Sequence, residues 1–430
     1  MVLNNSIQEN EIHKEDKLMI LAVLPILFFI YGSIVSLRSY HNVGDFVESF
    51  LAIILSPTIL ITDFMEVGGL GAALIQSSII GFLILGFFKG YKLRINGLLI
   101  AAYFTVIGFA FFGKNILNIP PIFLGGFLYS RYQKIPFKNV LLVIMFSTAL
   151  SPLVSELTFM GIFPPGYNLI AGILIGVLIG FVILPLSSHM LRFHDGFNLY
   201  NIGFTEGIVG TVMTSILRNM KVTIQPVNII YMQNEWFLWI LLFGVFAFYC
   251  IVGLLIKPDG LKLYPNILSH KGRTITDFTL LEGYGLTFLN MGIMGCLSLL
   301  VVFLLGGVLN GPVLAGVLTI VGFSAFGKHP KNCAPLMIGV VLAGLLFKVD
   351  LTETTFIISV LFSTTIAPIA GGFGFFAGLL AGVLHYVLVT NVGVIHGGMN
   401  LYNNGFSGGL VAGFLVPILN AFRKKDERRL

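Results

Sequence analysis

The stretch HDGFNLYNIGFTEGIV at residues 194–209 returns as HGGMNLYNNGFSGGLV at residues 396–411. Over residues 194–211 and 396–413, 10 of 18 positions are identical. Chance does not produce this agreement, so the chain contains an internal duplication. Both copies place asparagines and a tyrosine between very apolar segments, which predicts polar groups held inside a membrane.

The composition predicts a polytopic, all-α integral membrane protein. The 430-residue chain is 56% hydrophobic and only 10% charged, whereas a soluble domain carries about 25% charged residues. The mean hydropathy of +0.95 points the same way. The apolar run that begins at residue 18 has no small-residue cleavage site after it, so we interpret it as a first transmembrane helix rather than a signal peptide.

Cysteines and charge exclude several other classes. Cys250, Cys296 and Cys333 lie in apolar runs without metal-ligand spacing, so neither a metal site nor a disulfide framework is predicted, and no cofactor is expected. The net charge of +6 lies in loops and in the tail, where it sets membrane orientation. The expected partners are membrane lipids and a small solute, with no nucleic acid; a homo-oligomer is left open.

Further repeated segments extend the duplication over nearly the whole chain. Residues 96–114 match residues 310–328 at 9 of 19 positions, and FSTALSP at residues 146–152 matches FSTTIAP at residues 362–368. The predicted organisation has five parts: a cytoplasmic N-terminal segment at 1–17, membrane repeat 1 at 18–217, a connecting loop at 218–235, membrane repeat 2 at 236–420, and a basic cytoplasmic tail at 421–430.

The distribution of basic residues indicates that the two repeats are inverted relative to each other. Residues 89–94 carry three basic side chains, and their counterparts at 303–308 carry none. Residues 257–273 carry four, and their counterparts near 43–59 carry none. Because basic loops mark the cytoplasmic side, equivalent loops lie on opposite sides, as in an inverted repeat with an odd number of spans per half.

The apolar segments predict about 14 transmembrane helices in two seven-helix inverted repeats, some of them short or broken. The segment at residues 50–61 is too short for a span of about 20 residues, so we interpret it as interfacial or re-entrant. The predicted spans are 18–38, 66–88, 95–113, 119–131, 138–158, 167–190 and 197–217 in the first half, and 236–256, 284–306, 310–327, 333–347, 354–369, 373–390 and 398–420 in the second.

Two polar segments in each half are candidates for a solute site near the bilayer midplane, where inverted repeats bind their substrates. The first is the sequence FGK, in which the lysine is followed four positions later by an asparagine. We call these segments the elbows; they contain Lys114 with Asn118, and Lys328 with Asn332. These elbows would flank a pathway and attract an anion. The alternative is that both lysines lie at helix ends and extend to the membrane interface.

The repeated NLYN stretch is the second candidate. A buried amide without a partner costs roughly 2–7 kcal/mol, so these side chains must bind something. They either coordinate a solute or cap and connect helices, and the sequence leaves both open. The residues concerned are Asn198, Tyr200, Asn201, Asn400, Tyr402 and Asn403.

Ionisable residues near the spans are candidates for ion or proton coupling. Asp63 and Asp277 occupy equivalent positions, as do His194 and His396. Glu206 occurs once, because its counterpart is Gly408, and an unmatched carboxylate beside a repeated motif suits a coupling group. The alternative is that these are charges at helix ends in the headgroup zone.

The polar repeats, taken with TVIGFAFFGKN at residues 105–115, resemble a bacterial family of integral membrane proteins known only as a domain of unknown function. The resemblance covers essentially the full length and implies a membrane protein. The span count is similar to that of the seven-plus-seven inverted-repeat permeases for nucleobases and sulfate, at the level of architecture alone.

The sequence therefore predicts a transporter of a small polar or anionic solute that works by alternating access in the bacterial inner membrane, with both termini cytoplasmic. A channel for a small neutral solute is one alternative. An intramembrane enzyme acting on a lipid-linked substrate is another, since GFSGG around Ser407 fits a nucleophile pattern. No strand precedes that motif and its twin reads GFTEG, so we predict no catalytic residue and no enzyme.

Overall fold

The computed structural model describes residues 13–422 except 160, 162–163, 165, 223 and 226. The predicted tail from residue 423 and the first twelve residues of the predicted N-terminal segment lie outside the described residues. Within these ranges the chain folds into α-helices joined by turns and short 3-10 helices, and strand-like pairing is limited to two isolated bridges. The fold class is all-α, as predicted.

The described α-helices form two sets of ten in the same order. The first set is α1 Lys14–Ser39, α2 Val43–Leu55, α3 Phe64–Val67, α4 Gly69–Gly90, α5 Gly97–Phe109, α6 Pro120–Tyr132, α7 Leu141–Ser147, α8 Ser151–Phe159, α9 Tyr167–Met190 and α10 Asn201–Asn219. The second set is α11 Trp236–Ile256, α12 Gly260–Ser269, α13 Phe278–Leu281, α14 Gly283–Leu304, α15 Gly311–Phe323, α16 Pro330–Leu346, α17 Thr354–Phe362, α18 Ala367–Phe373, α19 Phe375–Val392 and α20 Asn403–Phe422.

Equivalent helices begin at equivalent residues because the same capping side chains recur. Asn96 accepts a hydrogen bond from the Leu99 amide at 2.9 Å and starts α5, and Asn310 does the same for Val313 and α15 at 3.1 Å. Both helices have 13 residues, and α4 and α14 both have 22. The duplicated sequence thus specifies the same local structure twice.

Within the described residues, nine helical segments are long and apolar enough to cross a membrane, so this is a multi-pass membrane protein. The prediction of fourteen spans exceeds this number. The helices α5, α6 and α15 have 13 residues and α16 has 17, and a 13-residue helix is about 20 Å long, less than the hydrocarbon core of about 30 Å. The 19-residue α10 is not apolar enough to be counted.

The short helices α5 and α15 lie side by side at the centre of the molecule. A side chain at Gly108 would come within 2.9 Å of Ala315 Cα, and one at Gly322 within 3.0 Å of Ala101 Cα. The contacts pair the end of each helix with the start of the other, so the two run antiparallel. Glycine at the crossing points lets the two backbones approach closely.

The predicted connecting loop packs along the first half rather than running free. Its residues 227–229 pair with residues 61–63, which follow α2. The Ile61 amide donates to the Val227 carbonyl at 2.7 Å, and the Asp63 amide donates to the Ile229 carbonyl at 2.9 Å. The helix α2 ends at Leu55, within the segment interpreted as interfacial or re-entrant, and its 13 residues are too few for a span.

Candidate functional site

Each of the two elbow lysines lies in a turn that follows a buried central helix. Gly113 and Gly327 precede the lysines with φ angles of +92° and +90°, a region that glycine enters without the usual steric cost. Lys114 and Lys328 are both completely buried. An ammonium in that position needs hydrogen-bond acceptors from the protein.

Each lysine finds a tyrosine acceptor in the opposite half of the chain. Lys114 Nζ donates to the Tyr402 hydroxyl at 2.6 Å. Lys328 Nζ donates to the Tyr200 hydroxyl at 2.5 Å and to Thr364 Oγ at 2.7 Å. The structure therefore brings each predicted elbow lysine to the predicted NLYN tyrosine of the other half. The two contacts are reciprocal, as in a pair related by a two-fold axis.

The asparagines at the start of NLYN bind backbone in the opposite half. Asn198 Nδ2 donates to the Gly405 carbonyl at 2.9 Å, and Asn400 Nδ2 donates to the Gly203 carbonyl at 3.1 Å. Each Oδ1 accepts from the amide two residues further along, at 3.1 and 2.9 Å. Both ends of each amide are engaged, so these two residues tie the halves together in this structure.

The second asparagine of each NLYN motif binds a histidine of its own half. This histidine is present in both copies of the repeat. His194 Nε2 lies 3.1 Å from Asn201 Oδ1, and His396 Nε2 lies 2.8 Å from Asn403 Oδ1. Each asparagine also donates to a carbonyl of the preceding helix, at 3.0 and 3.2 Å. The Nδ1 atoms of both histidines are buried without a hydrogen-bond partner in the described part of the chain.

The elbow asparagines close the turns that carry the lysines. Asn118 Nδ2 donates to the Gly113 carbonyl at 3.0 Å, and Asn332 Nδ2 donates to the Gly327 carbonyl at 2.8 Å. Their Oδ1 atoms accept from backbone amides at 2.8 and 3.0 Å. Two asparagines of the candidate set thus give the lysine turns their shape.

The predicted coupling residues Asp63 and Asp277 cap helices across the interface between the halves. Asp63 Oδ2 accepts from the Gly311 amide at 3.0 Å, at the start of α15. Asp277 accepts from the Gly97 amide at 3.2 Å, at the start of α5. A carboxylate at a helix N-terminus is favoured by the helix dipole, so both aspartates have a structural task.

Glu206 is fully buried on α10 and interacts electrostatically with Lys114. Neither carboxylate oxygen of Glu206 has a hydrogen-bond partner among the described residues. Asp63 and Asp277 cap helices, whereas Glu206 makes no described hydrogen bond that would explain its burial by a structural role.

A cavity of about 230 Å³, cavity 1, lies between the halves around the central helices. Both NLYN tyrosines, Tyr200 and Tyr402, line it, and so does Asn201. The equivalent pairs Thr105 with Thr319 and Phe109 with Phe323 line it as well. The latter four residues were missing from the predicted site, although their identity in the aligned segments at 96–114 and 310–328 was a signal for them.

A second cavity of about 570 Å³, cavity 2, is lined by the sequence equivalents of residues that line cavity 1. The correspondence holds for residues of both halves. Members of cavity 1 with their counterparts in cavity 2 are Ser188 with Thr390, Asn201 with Asn403, and Phe326 with Phe112. The internal duplication therefore maps one cavity onto the other.

The two cavities meet at three residues, Phe362, Leu401 and Asn404, which line both of them. Asn404 is linked to His385, whose Nε2 lies 3.0 Å from Asn404 Oδ1. Ser407 Oγ lies 3.3 Å from His385 Nδ1. The sequence analysis did not select Asn404, because its counterpart is Ile202 and repetition was the signal used.

The described residues offer no group of three His, Cys, Asp or Glu side chains placed to hold a metal ion. The nucleophile-like Ser407 is completely buried and lines neither cavity. What the geometry provides is a pair of related cavities with hydrogen-bonding groups in their walls, and two buried lysines that contact tyrosines lining cavity 1.

A family model described as a protein of unknown function (DUF1576) matches residues 42–219 and 257–421, one segment in each half. Nothing among the curated proteins or the solved structures matches the chain. Because the matched segments cover most of the sequence, the chain belongs to the DUF1576 family, which confirms the resemblance carried by its polar repeats.

Proposed function

We propose that this protein is a transporter that moves a small polar or anionic solute across the membrane by alternating access. The observation that carries the proposal is the correspondence between the cavities: the duplication maps cavity 1 onto cavity 2. If the halves are inverted, equivalent cavities open toward opposite sides. Their different volumes, about 230 and 570 Å³, fit a transporter held in one of two related conformations.

The packing of α5 against α15 supports the inverted arrangement. Equivalent helices that run antiparallel are related by a two-fold axis perpendicular to them. If α5 and α15 lie along the membrane normal, that axis lies in the membrane plane, which is the symmetry of an inverted repeat. The reciprocal Lys114–Tyr402 and Lys328–Tyr200 contacts obey the same axis.

The helix lengths suggest a refinement of the predicted fourteen spans. In this proposal each half crosses the membrane five times, and its two short helices, α5 with α6 or α15 with α16, form a hairpin whose tip carries the lysine. The nine helical segments of spanning length together with α10 supply the ten crossings. The number per half remains odd, as inversion requires.

The basic loops place cavity 1 on the cytoplasmic side in this proposal, near Thr274 and the basic residues 271–273. Both chain termini would then be cytoplasmic, in the inner membrane of a bacterium. Phe362, Leu401 and Asn404 would form the barrier that separates the two cavities. We assign no enzymatic activity, because the nucleophile-like serine is inaccessible from either cavity.

Cysteine labelling tests the proposal directly. In a variant with Cys250, Cys296 and Cys333 replaced by alanine, Ser188→Cys reports on cavity 1 and Thr390→Cys on cavity 2. A membrane-impermeant maleimide should label the first from the cytoplasmic side and the second from the opposite side. Labelling of both from one and the same face would overturn the inverted arrangement.

Two further measurements complete this test. Gln133→Cys, exposed at the end of α6 and on the cytoplasmic side in this proposal, is the control, and its labelling should not respond to solute. A transported solute should change the labelling of the two cavity positions in opposite directions. The channel alternative predicts that both positions are accessible from both faces and that proteoliposomes show no counterflow.

A further inference from the structure

Cavity 1 combines apolar walls with polar groups that donate hydrogen bonds. Five phenylalanines contribute to its walls. The hydroxyls and amides that line it are few, and several of them are already engaged with the protein. The hydrogen-bonding capacity that remains free therefore indicates which chemical groups a solute must carry. The five phenylalanines are Phe109, Phe146, Phe323, Phe326 and Phe362.

Part of the free capacity consists of donors that have no acceptor. The Tyr402 oxygen accepts from Lys114, and its own O–H finds no acceptor among the described residues. Asn404 Oδ1 is taken by His385, while no described residue accepts from its Nδ2. The Thr319 hydroxyl also lacks a partner within the described ranges. A solute that satisfies these groups must present hydrogen-bond acceptors.

His385 sets the direction of the Asn404 amide. Two tautomers satisfy both ring nitrogens, because Ser407 Oγ donates either to Nδ1, at 3.3 Å, or to the Asn404 carbonyl, at 3.2 Å. In the first tautomer Nε2 carries the ring proton and donates to Asn404 Oδ1 at 3.0 Å. The NH₂ group of Asn404 is then left to face the junction of the two cavities, so His385 acts as a positioning residue.

The two buried lysines beside the cavity have no ion-pair partner. Lys114 and Lys328 both contact a tyrosine that lines cavity 1. No described carboxylate lies within ion-pair distance of either lysine, although Glu206 acts on Lys114 from farther away. A buried ammonium without a countercharge is costly, and a solute with a single negative charge beside Tyr200 and Tyr402 would reduce that cost.

On the basis of the transport function proposed above, we propose that the solute is a small monocarboxylate with an apolar body. Its carboxylate accepts hydrogen bonds from the Tyr402 hydroxyl and the Asn404 amide, and the phenylalanines surround its apolar part. The charged group supplies the acceptors and the missing negative charge, while the apolar walls disfavour a solute that is polar throughout.

The test compares carboxylates with their primary amides, which have nearly the same shape but no charge. Thermal unfolding of the purified protein in detergent is measured with acetate, butyrate, hexanoate and benzoate, each against its amide. Hexanoate and benzoate should raise the midpoint, acetate should do so only weakly, and no amide should match its acid. Equal effects of benzoate and benzamide, or no effect of any carboxylate, would refute the inference.

Two variants sharpen the test. Asn404→Asp replaces the donor by a carboxylate of the same shape and should weaken benzoate binding roughly ten- to a hundredfold, because a hydrogen bond to a charged group is lost and like charges meet. The matched control is Asn391→Asp, the same change at an exposed asparagine that lines neither cavity, and it should leave benzoate binding as in wild type. Equal binding to Asn404→Asp and wild type would remove Asn404 from the site.

The role of His385 is tested by selectivity rather than by affinity alone. His385→Leu should lower the preference for benzoate over benzamide, because the Asn404 amide is free to turn, and His385→Gln should restore part of it. A merely structural role would lower both affinities together.

The outcomes distinguish the substrate class from the transport function. If cysteine labelling shows alternating access while no carboxylate is preferred, the substrate class is wrong and the transport proposal stands. If labelling shows no alternating access, the transport proposal fails whatever the protein binds.

Discussion

The two lysine sites occupy equivalent elbows, yet they differ in the groups that surround the ammonium. Lys114 has one hydrogen-bond partner, Tyr402, and the buried carboxylate of Glu206 acts on it. Lys328 has two hydroxyl partners, Tyr200 and Thr364, and no described carboxylate acts on it. Neither lysine has a described carboxylate within ion-pair distance. The duplication preserved the cation and its tyrosine but not the countercharge.

The space around Gly408 explains the difference. A side chain at Gly408, the counterpart of Glu206, would meet Thr365 Cγ2 at 2.5 Å. The counterpart of Thr365 in the first half is the smaller Ala149. Thr365 instead donates to Asn198 Oδ1 at 2.5 Å. The first half therefore combines Glu206 with the small Ala149, and the second half combines Gly408 with Thr365, which binds across the interface. The surroundings of the two lysines differ for this reason.

The largest effect is expected when the missing carboxylate is introduced into the second half. Gly408→Glu should lower the free energy of unfolding by about 5 kcal/mol, because the side chain clashes and a charge is buried. Adding Thr365→Ala recreates the first-half arrangement and should recover at least half of the loss. Unfolding in mixed micelles measures both, with Thr365→Ala alone as the control. A double variant no more stable than Gly408→Glu would contradict this explanation.

Removal of the lysines should affect the two sites unequally. Lys114→Met leaves Glu206 buried without its countercharge and should cost about 4 kcal/mol. Lys328→Met leaves no described carboxylate behind and should cost about 1 kcal/mol or less. Unfolding free energies of both variants are compared with that of Lys114→Met combined with Glu206→Gln, which should recover much of the loss. Equal losses for the two single lysine variants would show that Glu206 does not compensate Lys114.

The asparagines that tie the halves together should differ by one hydrogen bond. Asn198→Ala should cost about 3 kcal/mol and Asn400→Ala about 2 kcal/mol, because Asn198 alone also accepts from a threonine hydroxyl. Thermal unfolding of the two variants gives the comparison. Thr365→Val supplies the control: in that background the two asparagine variants should become equally destabilising, and a persistent difference would assign it to another contact.

The smallest effect concerns the second hydroxyl partner of Lys328. Thr364→Val should lower stability by about 1 kcal/mol more than Thr148→Val at the equivalent position. Both threonines donate to a backbone carbonyl at 2.7 Å, but only Thr364 is reached by a lysine. The same unfolding measurement tests it, and equal losses would mean that Thr364 adds nothing to the lysine site.

Repetition identified some members of the site and concealed others. Lys114, Lys328, Tyr200 and Tyr402 were predicted because they occur in both copies, and the structure brings them together in pairs. The same criterion gave no weight to Asn404, whose counterpart is an isoleucine. Residues that differ between the copies carry the specialisation of each half, and a comparison of the copies by identity discards them.

The elbow and interface asparagines illustrate a second limit. A buried amide requires hydrogen-bond partners, and the sequence therefore predicted that these side chains bind something. It could not distinguish a solute from backbone carbonyls, because the Gly405 carbonyl that Asn198 binds lies more than two hundred positions away. Such a partner is known only once the two halves are packed.

The sequence by itself determined that the protein is helical and membrane-embedded, that it is duplicated, and where equivalent helices begin, because composition, repetition and capping residues act locally. The tertiary structure alone decided that each lysine binds the tyrosine of the other half and that Glu206 acts on Lys114 and not on Lys328. It also decided that two equivalent cavities meet at Asn404. These relations depend on how the halves pack against each other, and packing places in contact residues that no local pattern connects.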